Sequence, residues 1–287
     1  MTEIVNIEET DIAYLCHGDD ALLARVYRPA GSGPYPMLID LHGGAWCNGD
    51  RKNNQMLCRA IAQSGVVVAA LDFRQPPAAG YPDVMADIHF GVRWLKANAQ
   101  KFNGNAGKVG ILGVSSGGQQ AMLLAMRPSD PRYSTLENSS LQEFDATVEC
   151  VVLCWPVIDP LGRYHYGKER IASGQPHPAH LPDVLPCHDR YWGTEDAMSE
   201  GSPLRILERN EDCVLPPAIY LQGEEDLMHP RQHLDRFVPL YREHGGELGL
   251  ALYPGEAEGF ITRNPKSADN QSAAIQRIID FLHARLG

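Results

Sequence analysis

The chain is 287 residues long, 44% hydrophobic and 21% charged, with a formal net charge of -11 at pH 7. That length and apolar content suit one large α/β domain, and the acidic balance excludes nucleic acid as an expected partner, because phosphate recognition draws its affinity from clustered Lys and Arg. The opening MTEIVNIEET has neither a basic n-region nor an apolar h-region, and no run of about 20 apolar residues follows, so a cytoplasmic protein without a membrane partner is expected.

In chain order, Asp11–His17 and Ala21–Arg28 flank Gly18-Asp19-Asp20 and read as an antiparallel hairpin. The short apolar runs Met37–Leu41, Val66–Leu71, Val109–Val114, Val148–Trp155, Ala218–Gln222 and Leu248–Tyr253 follow. They lack polar alternation, which predicts a mostly parallel sheet covered on both faces. Between them Val84, Ile88, Val92 and Leu95 recur at helical spacing, as do Ile275, Ile278, Ile279, Leu282 and Leu286 near the end. Residues 156–216 break this βα order, being rich in Pro, His, Tyr and Gly, and are expected to form a cap insertion over the strand ends within a single domain, 1–287. The seven cysteines (Cys16, Cys47, Cys58, Cys150, Cys154, Cys187, Cys213) are odd in number and irregularly spaced, so reduced thiols are expected rather than a disulfide framework. Cys150 and Cys154 lie in a β-branched run that reads as strand, not as a zinc knuckle, and neither a metal nor another cofactor is predicted.

Gly113-Val114-Ser115-Ser116-Gly117-Gly118 sits between a predicted strand and the helix-like Gln119–Met126. This is the strand-turn-helix context of a nucleophile elbow, with Ser115 at its tip. Leu41-His42-Gly43-Gly44-Ala45-Trp46 follows the first parallel strand, and small residues there let backbone N–H groups converge on a developing oxyanion, together with the N–H of Ser116. A phosphate loop would need a Lys or a dinucleotide glycine spacing that the segment lacks.

With these pieces, and with Asp72-Phe73-Arg74 and Gly223-Glu224-Glu225-Asp226, the chain resembles the hormone-sensitive-lipase-like family of α/β-hydrolases, which includes many bacterial carboxylesterases. The resemblance implies an α/β-hydrolase fold, Ser115 as nucleophile and Asp226 as triad acid. It further implies oxyanion donors at Gly44, Ala45 and Ser116, with Gly43 shaping the loop. It also implies a dimer paired through Leu248–Tyr253. The family's pattern then places His before Gly-Phe after the last strand, where this chain has Glu258-Gly259-Phe260. A carboxylate is a much weaker base than imidazole near neutral pH, and beside Asp226 it is expected to form a coupled pair in which one member holds a proton.

Other histidines offer themselves. His229, three residues after Asp226, reaches the site from the acid loop or else starts a helix with His233; neither replaces the expected base by sequence alone. His42 is expected to order the oxyanion loop and His89 to pack in the core; His165, His177, His180 and His188 fall in the insertion. Trp46 and Trp155, with Tyr164, Tyr166, Tyr191 and Trp192, are candidates for an aromatic pocket favouring short or aromatic acyl groups. The expected function is hydrolysis of a small-molecule ester, lactone or amide, with Glu258 as an atypical base. The alternatives are a ligand-binding protein without turnover, and a lyase or dehydratase using Glu258 to remove a carbon-bound proton.

Overall fold

The computed structural model describes residues 5–136 and 138–287. Its hairpin is β1 (Ile7–His17) and β2 (Asp20–Pro29); the six remaining strands are β3 (Tyr35–Leu41), β4 (Val67–Leu71), β5 (Gly104–Val114), β6 (Val151–Cys154), β7 (Ala218–Gly223) and β8 (Leu248–Tyr253). Among the described residues they form one eight-stranded sheet in the order β1-β2-β4-β3-β5-β6-β7-β8. The pairings β1/β2 and β2/β4 are antiparallel and all others parallel. The hairpin is the solvated end: β1 carries Glu8, Glu9 and Asp11, which meet Arg28, Arg59 and Arg25.

The inner strands are apolar on both sides because both sides are covered. Successive residues of β3 divide between the faces: Met37 and Ile39 join the cluster under α2 (Asp83–Ala97), α3 (Ser116–Met126) and α8 (Arg231–Glu243). Leu38 joins the opposite cluster under α1 (Gln55–Gln63) and α9 (Ala268–Leu286). Val84, Ile88, Val92 and Leu95 are fully buried on α2, and Ile278 and Leu282 on α9, which is the helical repeat read from the sequence.

Between β6 and β7 the chain is helical rather than irregular: α4 (Pro160–Ser173), α5 (Leu181–Trp192), α6 (Glu195–Glu200) and α7 (Pro203–Glu208). Three of the prolines that obscure this pattern stand at helix starts, where a missing N–H costs nothing: Pro160, Pro182 and Pro203 occupy the first turns of α4, α5 and α7. All seven cysteines are free thiols, with Cys58, Cys150, Cys154 and Cys187 buried. No helix among the described residues is long and apolar enough to cross a membrane.

The loop after β8 is fastened by Glu256. Its buried carboxylate accepts the N–H groups of Lys266 (2.9 Å) and Ser267 (2.8 Å) and the amide of Asn270 (3.2 Å), at the N-terminus of α9. Burial alone would raise this carboxyl, but the three bonds and the Lys266 charge bring it below its ordinary value. Glu256→Gln is therefore expected to cost about 1–3 kcal/mol in urea unfolding at pH 7. Because the folded-state value is the depressed one, the contribution is complete above the ordinary carboxylate range and lost as pH falls through the lowered value. The variant and the parent chain should thus converge in stability in acid; a constant gap from pH 7 down to acid unfolding would refute the assignment.

Candidate active site

Ser115 leaves β5 and begins the turn into α3 with φ 54° and ψ -117°, a conformation that costs about 1–3 kcal/mol for a non-glycine residue. Surrounding bonds hold it there: its N–H donates to the Cys154 carbonyl (3.0 Å), and its own carbonyl accepts from Gly118 (3.0 Å) and Val157 (3.0 Å). The next turn must pass against β3. A Cβ on Gly117 would lie 2.3 Å from the Leu41 carbonyl oxygen and 2.4 Å from that of His42, so only glycine fits. The result presents the Ser115 hydroxyl at the N-terminus of α3, where the helix dipole favours negative charge.

The loop after β3 wraps the same point. Gly44 takes φ 113°, and a Cβ there would strike the Asn48 carbonyl at 1.9 Å; Ala45 and Trp46 also have positive φ. Gly43, Gly44 and Ala45 line the cavity beside Ser115. The loop is tied to the elbow by Trp46, whose backbone N–H donates to Ser116 Oγ (3.2 Å) and whose indole N–H donates to Gln119 Oε1 (2.9 Å). Ser116 thus anchors the loop through its side chain, a role the motif alone does not signal. His42 stacks on Phe73 at 4.3 Å with Nδ1 2.7 Å from the Gly43 carbonyl, and burial lowers its pKa. It orders the loop from below.

The imidazole facing Ser115 comes from the acid loop. Ser115 Oγ is 3.2 Å from His229 Nε2, and His229 Nδ1 is 2.9 Å from Asp226 Oδ2. The other carboxylate oxygen, Oδ1, accepts the N–H groups of Met228 (2.8 Å) and His229 (3.0 Å), so the aspartate closes its own turn and aims Oδ2 at the ring. Gln222, buried at the end of β7, donates to the His229 carbonyl (2.8 Å) and fixes the far side of that turn. Both His229 and Asp226 are buried. The sequence signal for this arrangement is the Asp-x-x-His spacing directly after a parallel strand, which an expectation centred on residue 258 passes over.

Glu258 does something else. Its carboxylate accepts from His180 Nε2 (3.2 Å) and Arg263 Nη2 (3.3 Å) at the cavity rim and makes no hydrogen bond to Ser115 or Asp226. Burial by itself would raise this carboxyl, but the His180 hydrogen bond and nearby positive charge, including that of Arg263, hold it at about 2. It is ionised, not half of a proton-sharing pair with Asp226, which corrects that expectation. The reason is positional: Asp226 has already spent its free oxygen on the imidazole three residues along. The His180 bond to Glu258 in turn raises the His180 pKa.

The cavity over Ser115 has a volume of about 690 Å³. Helices α4 and α5 supply Arg163, Asp183, Val184 and Cys187 to its wall, and the loop after β8 supplies Glu258 and Arg263. The expected aromatic pocket is absent: neither Trp46 nor Trp155 nor the other aromatic candidates line it. Trp46 is buried against Tyr191 and Trp192, and Trp155 against Phe260, so both are packing residues. His89 is likewise buried, its pKa pushed down to about 4 by burial.

Comparison with known proteins agrees with this architecture. The family description BD-FAE matches residues 25–237, from β2 into α8, a span that includes Ser115, Asp226 and His229 and ends before Glu258. Esterase LipC of Mycobacterium tuberculosis is 29% identical over 280 residues, covering 93% of this chain and 64% of that protein. The probable carboxylic ester hydrolase LipM of the same organism is 26% identical over 257 residues, covering 88% and 56%; the chain thus spans about three fifths of the length of these relatives. Among solved structures, carboxyl esterase 2 of the fungus Tuber melanosporum superposes with a TM-score of 0.78 at 19% identity, covering 99% of this chain and 89% of that one. An esterase of the archaeon Pyrobaculum calidifontis gives 0.74 at 24%, covering 98% and 84%. With a family match that spans both the elbow and the acid loop, the chain belongs to the BD-FAE family.

Proposed function

We propose that this chain hydrolyses small carboxylic esters through an acyl-enzyme on Ser115, with His229 as general base and Asp226 as its orienting acid. The carrying observation is the continuous relay from Ser115 Oγ to His229 Nε2 and from His229 Nδ1 to Asp226 Oδ2, at 3.2 and 2.9 Å. In the first step Oγ bonds to the ester carbonyl carbon as its proton passes to Nε2. The oxyanion meets the backbone donors of Gly44, Ala45 and Ser116 at the positive end of α3. The C–O bond to the alcohol then breaks and the alcohol leaves with the proton from Nε2. Water, deprotonated by the same nitrogen, releases the acid and restores Ser115. The esterase names of the relatives support this reading. The two alternatives, binding without turnover and proton abstraction by Glu258, rest on a missing imidazole, and the His229 ring beside Ser115 favours the hydrolase reading over them.

The test is covalent labelling with a fluorophosphonate, followed by peptide mass spectrometry, alongside initial rates on p-nitrophenyl acetate and butyrate. One adduct is expected, on Ser115, and Ser115→Ala should lose both adduct and turnover. An adduct elsewhere, or a variant that still turns over, would sink the proposal.

A further inference from the structure

Arg163, on α4, is 1% exposed and lines the cavity over Ser115. A guanidinium offers five N–H donors and one fixed charge, and in the interior both normally find a carboxylate. Here they do not. Nε donates to His188 Nε2 at 3.2 Å, the guanidinium carbon lies 5.3 Å from the centre of the Trp46 ring, and Nη2 has no partner. His188 brings no negative charge, since burial and the Arg163 charge keep it neutral, and its Nδ1 faces the Val184 carbonyl at 3.4 Å. Among the described residues no carboxylate pairs with Arg163. Glu258 and Asp226 attract it only from beyond contact, and each is committed: Glu258 to His180 and Arg263, Asp226 to His229 and two backbone N–H groups. Burial lowers the Arg163 pKa to about 10, which leaves it charged at neutral pH.

Asn48, Asn53, Asn54, Thr262 and Asn264 line the cavity together with apolar Ala45, Val114, Val184 and Met228, and among the described residues no aromatic ring does. A purely hydrocarbon acyl chain would leave the guanidinium without a counter-charge. A ligand with an anionic oxygen placed against Arg163 would supply the counter-charge that the guanidinium lacks.

We infer that the substrate of this site is an ester bearing a free carboxylate apart from the scissile bond, and that Arg163 is the specificity residue that recognises it. This rests on the esterase reading of Ser115 given above, and deepens it.

The experiment compares monomethyl adipate with methyl adipamate, in which a neutral amide of nearly the same shape replaces the carboxylate, using p-nitrophenyl acetate as a reference for Ser115 chemistry. The full chain should prefer the carboxylate ester by about tenfold or more in kcat/KM. Arg163→Gln should bring that ratio to about one, mainly through KM, and Arg163→Lys should recover part of it. A ratio near one in the unaltered chain overturns the inference while leaving p-nitrophenyl acetate turnover, and so the esterase reading, intact. That arm needs no variant, so a misfolded Arg163→Gln does not obscure it. If p-nitrophenyl acetate is not turned over either, the esterase reading fails, and calorimetric titration with adipate decides the anion site separately. Millimolar or tighter binding that is lost in the Arg163 variants upholds it, and absence of binding overturns it.

Discussion

His229→Ala is expected to lower kcat on p-nitrophenyl acetate by about a thousandfold or more with little change in KM, which is the loss of general-base assistance and of imidazolium formation in the transition state. Among the described residues the Ser115 hydroxyl has one imidazole in hydrogen-bond reach, at 3.2 Å, and removing it leaves that hydroxyl without a proton acceptor. The paired control is Glu258→Gln, for which a change of less than about tenfold is expected, because Glu258 acts on the triad only through its charge. Glu258→His in the His229→Ala background should not restore turnover. The side chain at 258 is held toward His180 and Arg263 rather than toward Asp226. Initial rates on the four proteins read this directly. A Glu258→Gln variant as impaired as His229→Ala would return the base to residue 258 and overturn the assignment.

The second large effect is at Asp226. Asp226→Asn should keep the fold of the acid loop, since an amide oxygen still accepts from Met228 and His229 as Oδ1 does now. At Oδ2, however, an NH₂ group would donate to His229 Nδ1 instead of accepting from it. The ring is then locked with its proton on Nε2, and that nitrogen cannot take the Ser115 proton. A fall of about ten-thousandfold in kcat is expected from the wrong tautomer alone. An unchanged thermal melt combined with that fall would isolate the orienting role; a melt lowered in parallel with activity would make the residue structural.

How far the sequence reaches is seen at particular places. The inner strands are legible because a parallel strand packed on both faces must be apolar throughout, as Val67–Leu71 and Val151–Cys154 are. The elbow is legible because steric exclusion at Gly117 dictates residue type directly. The helices between β6 and β7 are not, since α4, α5 and α7 carry prolines in their first turns and α4 and α5 bury polar and ring-bearing residues such as Arg163 and His188 instead of an aliphatic stripe. The aromatic residues of this segment mislead in the same way: a ring in the sequence carries no sign of whether it faces a cavity or another ring. The base is the instructive failure. Position along the chain suggests where a histidine is customary, but what matters is which ring nitrogen meets Oγ in space. The turn closed by Asp226 and steadied by Gln222 brings His229 there, which supports its proposed role.

The turn that carries Asp226 and His229 also changes what kind of mechanical tolerance the site has. With the acid after one strand and the base after the next, proton transfer would depend on two strand ends keeping their relative height. Here both groups ride on a single turn of four residues, so a slide of β8 or a loosening of α9 leaves the Asp226–His229 distance untouched. With His229 as the base, the loop beyond β8 would be free of proton transfer. Glu258, Thr262, Arg263 and Asn264 line the cavity, a surface on which selectivity could be rewritten while the Asp226–His229 pair stays in place.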